Sequence, residues 1–587
     1  MDNKQQRLRT SLQENYYITP SYQVYGGSSG FHDFGILGKK LKNKLVNMWR
    51  DYFINDDTDT IVEIETPTIM PYDILNASGH VQRFTDYIVY DENNICYRAD
   101  HLAKNWFKAN NLSHLADQVD TWNRQVLQEN INNYKMIKPK TPNTFVEVTT
   151  KNLMFEVPST SNNFGIDFLR PELAQGIFVS YNNCQKFLQK EPPFGIAQTG
   201  TSYRKEISPQ PYVRMREFNQ AEIEYFFDPT NKSHHNFDIY KNISVPILTS
   251  EMQLNNETKP IIVTLESAIE NKLISSQLMA YFIGRVYLFA MKVGLKPDKV
   301  RFRQHLPHEM SHYAVECWDL ETFVNDDWLE CVGIADRGSY DLSSHNNHTV
   351  PKVYAKRVLN VPVEIKFLKA KLNMKVIGQT FGDTTAIIRD YFGNMSENNL
   401  QDLKNILVDP NVNHITFETN KKQYSINKSM VEVVEESQVK VHESYVPHVL
   451  EPSFGVDRLL YSILEQNFWA RESDTQRIVL SLPNELLPYD VAVFPLSKNV
   501  KFNPVIEQIS KDLNQSKFTT YKDNSSTSIG KKYSRADEMG IKFAITIDFD
   551  TFNDNQVTIR ERDSTKQIRV SIVDIAKHLK QIISSCN

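Results

Sequence analysis

Apolar positions along the chain recur with two periods, and the switches between them outline the elements. Leu41, Leu45, Met48, Trp49 and Tyr52 stand at helical spacing and predict a helix over residues 39–53. Residues 61–70, IVEIETPTIM, alternate and predict a strand. Residues 203–227, YRKEISPQPYVRMREFNQAEIEYFF, hold two alternating runs around Ser208, Pro209, Gln210 and Pro211. That turn cluster cannot continue either run, so the segment predicts an antiparallel hairpin. A long helical region with an apolar face spans residues 265–293, and strands follow within 299–312 and 328–345. From about residue 475 the pattern changes: 489–496, 543–550 and 556–563 read as strands, with an amphipathic helix marked by Phe502, Val505, Ile506, Ile509 and Leu513. Strands alternating with helices over this length predict a compact α/β domain.

Alternation sorts the hairpin's side chains. Arg204 and Glu206 share one face of the first run; Arg214, Arg216, Phe218, Gln220, Glu222 and Glu224 share one face of the second. A guanidinium fork suits a phosphate, a ring beside arginine suits a flat base, and a carboxylate suits an ammonium. Taken alone, the same alternation also fits a solvated face with internal ion pairs.

Composition narrows the choices. Hydrophobic residues make up 40% of the 587 and charged residues 23%, ordinary for a soluble protein with two to four domains. The net charge of -5 means that nucleic-acid binding relies on local basic patches. Cys96, Cys184, Cys317, Cys331 and Cys586 form no C-x-x-C pair, which argues against a disulfide framework or thiolate zinc site and for a reducing cytosol. The most apolar stretch, 272–285, is shorter than the roughly 20 residues of a membrane span. Residues 1–20 read as a polar, loosely held tail without a secretory signal. The Gly-rich run 25–38 lacks the Gly-Lys-Ser/Thr ending of a phosphate cradle and reads as a tight structural loop. His80 and His101 have no thiol at ligand spacing and read as hydrogen-bonding loop residues.

Three further stretches bear on the hairpin: SGHVQRFTD at 78–86, RPELAQGIF at 170–178 and EPSFGVDR at 451–458. YRKEIS followed by RMREF resembles motif 2 of the class II aminoacyl-tRNA synthetases, and EPSFGVDR resembles their motif 3. With RPELAQGIF, AEIEYF and SGHVQRFTD in the same order, the chain resembles the glycyl-tRNA synthetases of class IIa, of the eukaryotic and archaeal single-chain type. DNSSTSIGKKYSRADEMG followed by FAITIDFD resembles their anticodon-binding domain.

The resemblance implies an α+β fold: an antiparallel-sheet catalytic core over 21–474, with insertions at about 103–150, 230–263 and 350–440, followed by an α/β anticodon-binding domain over 475–587. It implies a cytoplasmic homodimer, with residues 39–70 standing where relatives build the dimer interface. The reaction implied is activation of glycine by ATP to glycyl-adenylate, then transfer to the 3′ end of tRNA(Gly). Arg204, Glu206 and Arg458 stand where the family carries catalysis. Arg204, Lys205, Glu206, Arg214, Met215, Phe218, Glu330, Cys331 and Arg458 stand where it binds ATP, with Glu330 supporting Mg2+. Glu172, Glu222, Glu451, Pro452 and Ser453 are the candidates for gripping glycine. Two departures concern loop geometry: Asp457 replaces the Gly that commonly precedes the motif 3 arginine, and the connection between Pro209 and Arg214 is about one residue short. Another class IIa synthetase, or a non-catalytic protein on the same fold, are the rival readings; the second fits poorly with four retained site residues, Arg204, Glu206, Phe218 and Arg458.

Overall fold

The computed structural model describes residues 3–56, 60–116, 118–119, 122–138, 145–160, 163–310, 314–419 and 422–585. Ser311, His312 and Cys586 of the readings above lie outside these residues. The centre of the fold is a nine-stranded sheet. Its strands are β1 (Ile61–Glu63), β2 (Phe194–Tyr203), β3 (Glu217–Phe227), β4 (Ser244–Leu248), β5 (Ile261–Thr264), β6 (Val300–Gln304), β7 (Glu316–Val324), β8 (Asp327–Gly338) and β9 (His448–Gly455). They lie in the order β5-β4-β6-β7-β8-β9-β3-β2-β1, antiparallel except for the β4/β6 and β2/β1 pairs. Neighbours distant in sequence therefore meet: β9 sits between β8 and β3.

Five helices bear on this sheet: α1 (Asn3–Glu14), α2 (Ile36–Phe53), α3 (Ala174–Leu188), α4 (Gln277–Lys292) and α5 (Val456–Gln466). The helical spacing of α2 buries Leu37, Leu41, Leu45, Trp49 and Phe53 on one stripe. Phe53 packs 5.1 Å from Phe454 of β9 and 5.4 Å from Phe289 of α4, so α2 and α4 share the apolar side of the sheet. Residues 3–20 are not a loose tail: α1 buries Leu8 and Leu12, and the hydroxyl of Tyr17 donates to the Met539 carbonyl, 3.0 Å away.

Several boundaries differ from the sequence reading. Residues 61–70 break into β1 and a second short strand, Ile69–Pro71, because Pro67 interrupts the run; the two pieces join different sheets. Residues 265–293 form two helices, Leu265–Glu270 and α4, separated at Lys272, whose φ of 57° ends the first. SGHVQRFTD and YRADHL carry helices as well as strands, with His80–Arg83 and Ala99–Ala109 helical. The hairpin strands stop at Tyr203 and start again at Glu217, so Arg204, Glu206, Arg214 and Arg216 ride on the connection and not on a pleated face.

Beyond α5, β10 (Val491–Pro495), α6 (Asn503–Gln515), β11 (Thr520–Lys522), α7 (Ile529–Glu538), β12 (Phe543–Ile547), β13 (Gln556–Glu561) and β14 (Gln567–Ser571) build a five-stranded sheet, order β11-β10-β12-β13-β14. Its β11, β10 and β12 are parallel and its β13 and β14 antiparallel. Many of the basic residues here serve the fold. Arg560 and Arg471 both grip the buried Asp537 at 2.8 Å, Arg562 donates to the Gly540 carbonyl, and the Lys532 ammonium is buried against the Pro495 carbonyl.

Residues 354–445 form a separate compact unit. A long ribbon of Ala355–Leu372 with Val431–Tyr445, helices and a hairpin enclose Ile377, Ile388, Phe392, Leu403, Phe417 and Ile426. A segment rich in Lys, Asn and Glu thus owns a hydrophobic core.

Phe53→Ala removes a ring with no exposed surface and leaves a cavity that two layers cannot both close, at a cost of about 3–5 kcal/mol. We expect a clear fall in the thermal unfolding midpoint; an unchanged midpoint would show that α2 contributes little to the core.

Candidate functional site

Register across the sheet assembles the site. Gln198 of β2 pairs with Glu222 of β3, Glu222 with Ser453 of β9, Ser453 with Gly333 of β8 and Gly333 with Asp319 of β7. Side chains in such a row share a face. Phe218, Gln220, Glu222 and Glu224 alternate onto that face of β3, as the sequence suggests. Gly333 leaves the floor open: a Cβ there would lie 3.7 Å from Asp319 Oδ1 and 4.0 Å from Glu330 Oε1.

One cavity opens over this row, lined among others by Arg204, Glu206, Arg214, Met215, Phe218 and Arg458, and by Gln220, Glu330, Cys331, Gly333, Ser453 and Gly455. The Arg204 guanidinium lies 5.2 Å from the Phe218 ring centre, and its Nε donates to the Pro171 carbonyl at 3.2 Å. Arg458 starts α5; its Nε donates to the Val213 carbonyl at 2.7 Å and its Nη1 to Glu330 Oε2 at 3.2 Å. The Glu330 side chain is half exposed, so desolvation raises its carboxyl only in part, and Arg458, His305 and Arg204 hold it below the usual carboxylate range. Glu206 Oε2 is buried with no hydrogen-bond partner among the described residues. Lys205 is anchored through its backbone to the Leu153 carbonyl.

The connection carrying these arginines is braced from three sides. Gln210 and Arg214 exchange backbone bonds of 2.9 and 3.0 Å. Tyr212, in the left-handed region at φ 70°, stacks flat on Tyr461 of α5 at 5.1 Å. The Gly-rich loop packs beneath: Gly30, at φ +85°, accepts from the Arg216 N–H, and a Cβ there would stand 2.9 Å from the Arg216 side chain. This is the close approach that a tight structural loop serves.

Carboxyls gather at the inner end. Glu222 accepts from the Ser453 hydroxyl at 2.8 Å, the Gln220 amide at 2.7 Å and the Leu173 N–H at 2.9 Å. Burial, then Glu451 and Glu172, push its carboxyl up to about 8. Arg337, fully buried, donates to Glu451 at 2.7 Å and to Asp341 at 2.8 Å. Glu172 accepts from Gln175 at 2.9 Å and faces His80 at 3.5 Å and Arg337 at 3.6 Å. Burial opposes the charge on Glu172, but His80 and Arg337 carry its carboxyl well below the usual range. Pro452 lies between Glu451 and Ser453 on β9, opposite Ile334 of β8.

Of the site residues read from the sequence, Arg204, Glu206, Arg214, Met215, Phe218, Glu330, Cys331, Ser453 and Arg458 line the cavity; Glu222, Glu172, Glu451 and Pro452 are set back behind Ser453, and Lys205 lies off the lining. His80 hydrogen-bonds, as expected of it, and His101 Nε2 accepts from Arg214 at 3.3 Å. Sequence reasoning put Gln220 on the hairpin face without giving it a role, and passed over Asn219, Asp319, His305 and Gly333. Their signal was their register partners, visible only once β7, β8 and β9 are paired. Asp457, the departure in motif 3, binds the Asn219 N–H at 2.8 Å and its amide at 3.1 Å, tying the start of α5 to β3.

An anticodon-binding-domain family matches residues 490–582, the segment folded around β10–β14. The glycine–tRNA ligase of Methanocaldococcus jannaschii is 38% identical over 575 residues, covering 96% of each chain. The mitochondrial glycine–tRNA ligase 1 of Saccharomyces cerevisiae is 33% identical over 624 residues, covering 98% of this chain and 90% of its own. The glycine–tRNA ligase of Drosophila melanogaster is 33% identical over 593 residues, covering 98% of this chain and 77% of its own. Near-complete coverage at this identity, together with the synthetase sheet and the C-terminal domain behind it, establishes that the chain belongs to the glycine–tRNA ligase family.

Proposed function

We propose that the cavity beneath the 204–216 connection carries out the family's reaction: ATP activates glycine to glycyl-adenylate with release of pyrophosphate, and glycine then passes to the 3′ end of tRNA(Gly). The observation that carries this reading is one continuous cavity with Arg204, Arg458 and Phe218 at one end and Ser453 at the other, where Glu222 waits. Guanidiniums and an aromatic ring suit a nucleoside triphosphate; a hydroxyl and carboxylates suit an ammonium.

Glycine's own carboxylate attacks the α-phosphorus in line, so no protein nucleophile takes part; positioning and charge stabilisation carry the rate. Arg204 binds the α-phosphate and the attacking carboxylate. Arg458 takes the γ-phosphate and Arg214 the triphosphate's flank. The adenine stacks on Phe218, along the Lys205 and Met215 backbone, and its amino group donates to the unpartnered oxygen of Glu206. Glu330 and Asp319 turn oxygens toward the Gly333 floor, a donor set that fits Mg2+. Glu330, beside the Cys331 backbone, would hold the ion, which when bound supplies Lewis-acid neutralisation of phosphate charge. Glu222, Glu172, Glu451 and Ser453, with Pro452 in the wall, receive glycine, and the tight fit rejects larger amino acids by clash. We further propose a cytosolic homodimer formed around the α2–β1 region. No helix among the described residues is long and apolar enough to cross a membrane.

Glycine-dependent ATP–pyrophosphate exchange tests the assignment, with alanine, serine, threonine and proline in parallel. Glycine alone should support exchange, and Arg204→Ala should lower it by roughly a hundredfold or more, about 3 kcal/mol. Exchange with another amino acid would overturn the substrate, and none with any would overturn the chemistry.

His101 links this site to acid stability. Burial, then Arg98, lower its imidazole from 6.5 to about 4, so it stays neutral and accepts from Arg214. Below pH 6.5 the unfolded chain takes a proton that the folded chain refuses down to about 4, so folding loses stability across that window as the pH falls. His101→Gln should flatten the decline of the thermal midpoint over this range; an equally steep decline would assign it to other groups.

A further inference from the structure

Glu222, Glu224 and Glu451 each bring one carboxyl oxygen to a common point, the three atoms lying within 4.8 Å of one another, and all three side chains are buried. The register that pairs Glu222 with Ser453 and Tyr225 with Leu450 sets Glu224 directly opposite Glu451. Like charges at such cross-strand positions repel. Glu172 and Asp341 add two more carboxyls to the same field, and the guanidiniums acting on it are Arg337 and Arg170. Five carboxyls against two guanidiniums in a buried site cannot all be ionised.

Hydrogen bonds show where the charge resides. Arg337 is committed to Asp341 and Glu451, and Glu172 is held by Gln175, His80 and Arg337. Glu224, by contrast, has no exposed surface, and neither of its oxygens has a hydrogen-bond partner among the described residues. A buried carboxylate without a donor is costly, whereas the protonated acid is far less so. Burial and Glu451 raise the Glu224 carboxyl well above the usual range, in the same direction as Glu222.

We propose that the Glu222–Glu224–Glu451 cluster carries protons before glycine binds and releases one to solvent when glycine's ammonium arrives, so that the substrate's charge replaces a proton. The inference rests on the glycine pocket proposed above. A carboxyl O–H breaks, its proton goes to the buffer, and the carboxylate left behind pairs with the ammonium. Glu222 is the group that changes state: the oxygens of Glu224 and Glu451 crowded against it disfavour its charge in the empty pocket, and the Ser453, Gln220 and Leu173 donors support the ionised form once an ammonium offsets that repulsion. Glu224 keeps its proton and so limits the charge that the pocket must hold. Glycine affinity then rises with pH, approaching tenfold per unit below the cluster's titration and levelling off above it.

Calorimetric titration of glycine into the full-length enzyme, in phosphate and in Tris, reads the exchange directly, since the two buffers take up a proton with different heats. We expect about one proton released per glycine near neutral pH, with the KM for glycine in the exchange assay falling several-fold from about pH 6 to about pH 7. Buffer-independent heat together with a pH-flat KM in the wild type would overturn the proposal, and this measurement needs no variant to fold. Glu222→Gln should weaken glycine and abolish the release, while Ser453→Ala should weaken glycine and retain it. If both variants bind glycine as the wild type does, the pocket itself is wrongly assigned. If both weaken it but the wild type releases no proton, the pocket stands and the exchange falls.

Discussion

Everything at the site depends on one register: Glu222 against Ser453, Ser453 against Gly333 and Gly333 against Asp319. The side-chain period of a strand is two, so a slip of one residue in β9 would send Ser453 and Glu451 to the opposite face and bring Phe454 into the polar row. The apolar layer forbids that slip. Phe454 is buried between Trp49 and Phe53 of α2 and Phe289 of α4, and it can serve there only if its neighbours face the cavity. The core of the fold and the polarity of the pocket are two sides of the same constraint.

Two styles of electrostatics meet within the cavity. At the outer end, charges are partly exposed and paired through flexible side chains, as in Arg458 with Glu330, whose side chains are 28% and 53% exposed. Such pairs exchange partners readily when a stronger anion arrives, because water already shares in their solvation. At the inner end the carboxyls are dry, and Arg337, whose guanidinium touches several of them, is itself only 1% exposed. There a missing partner is expensive and proton occupancy becomes part of the structure. A net charge of -5 over the whole chain describes neither end.

Much of this was legible from the sequence, for identifiable reasons. The stripe on α2 and the alternation of 218–224 were readable because burial imposes a period on them. The site residues were readable only through motif resemblance, and nine of them line one cavity. What escaped was non-local. Asn219 and Asp319 carry no local mark, and Asp457 looked like a loop irregularity until Asn219 lay against it. The connection at 204–216 alternates in sequence, yet it is held by Gly30, Tyr461 and its own bridge and not by strand pairing, although Arg204, Glu206 and Arg214 still meet Phe218 at the cavity. Lys532, Arg560 and Arg562 are plain basic residues in the sequence, which does not reveal the buried Asp537 or the carbonyls that they pair with.

The unit at 354–445 begins and ends on paired strands, with Ala355 opposite Tyr445. Chain entry and exit therefore lie one strand spacing apart, about 5 Å. To the remainder of the protein such a segment costs little more in loop-closure entropy than a short turn, however many residues it holds. A module joined in this manner can lengthen, shrink or be exchanged over evolutionary time while the sheet that bears the site keeps its registry. It can also complete its own core during synthesis, before β9 has emerged to enter the sheet between β8 and β3.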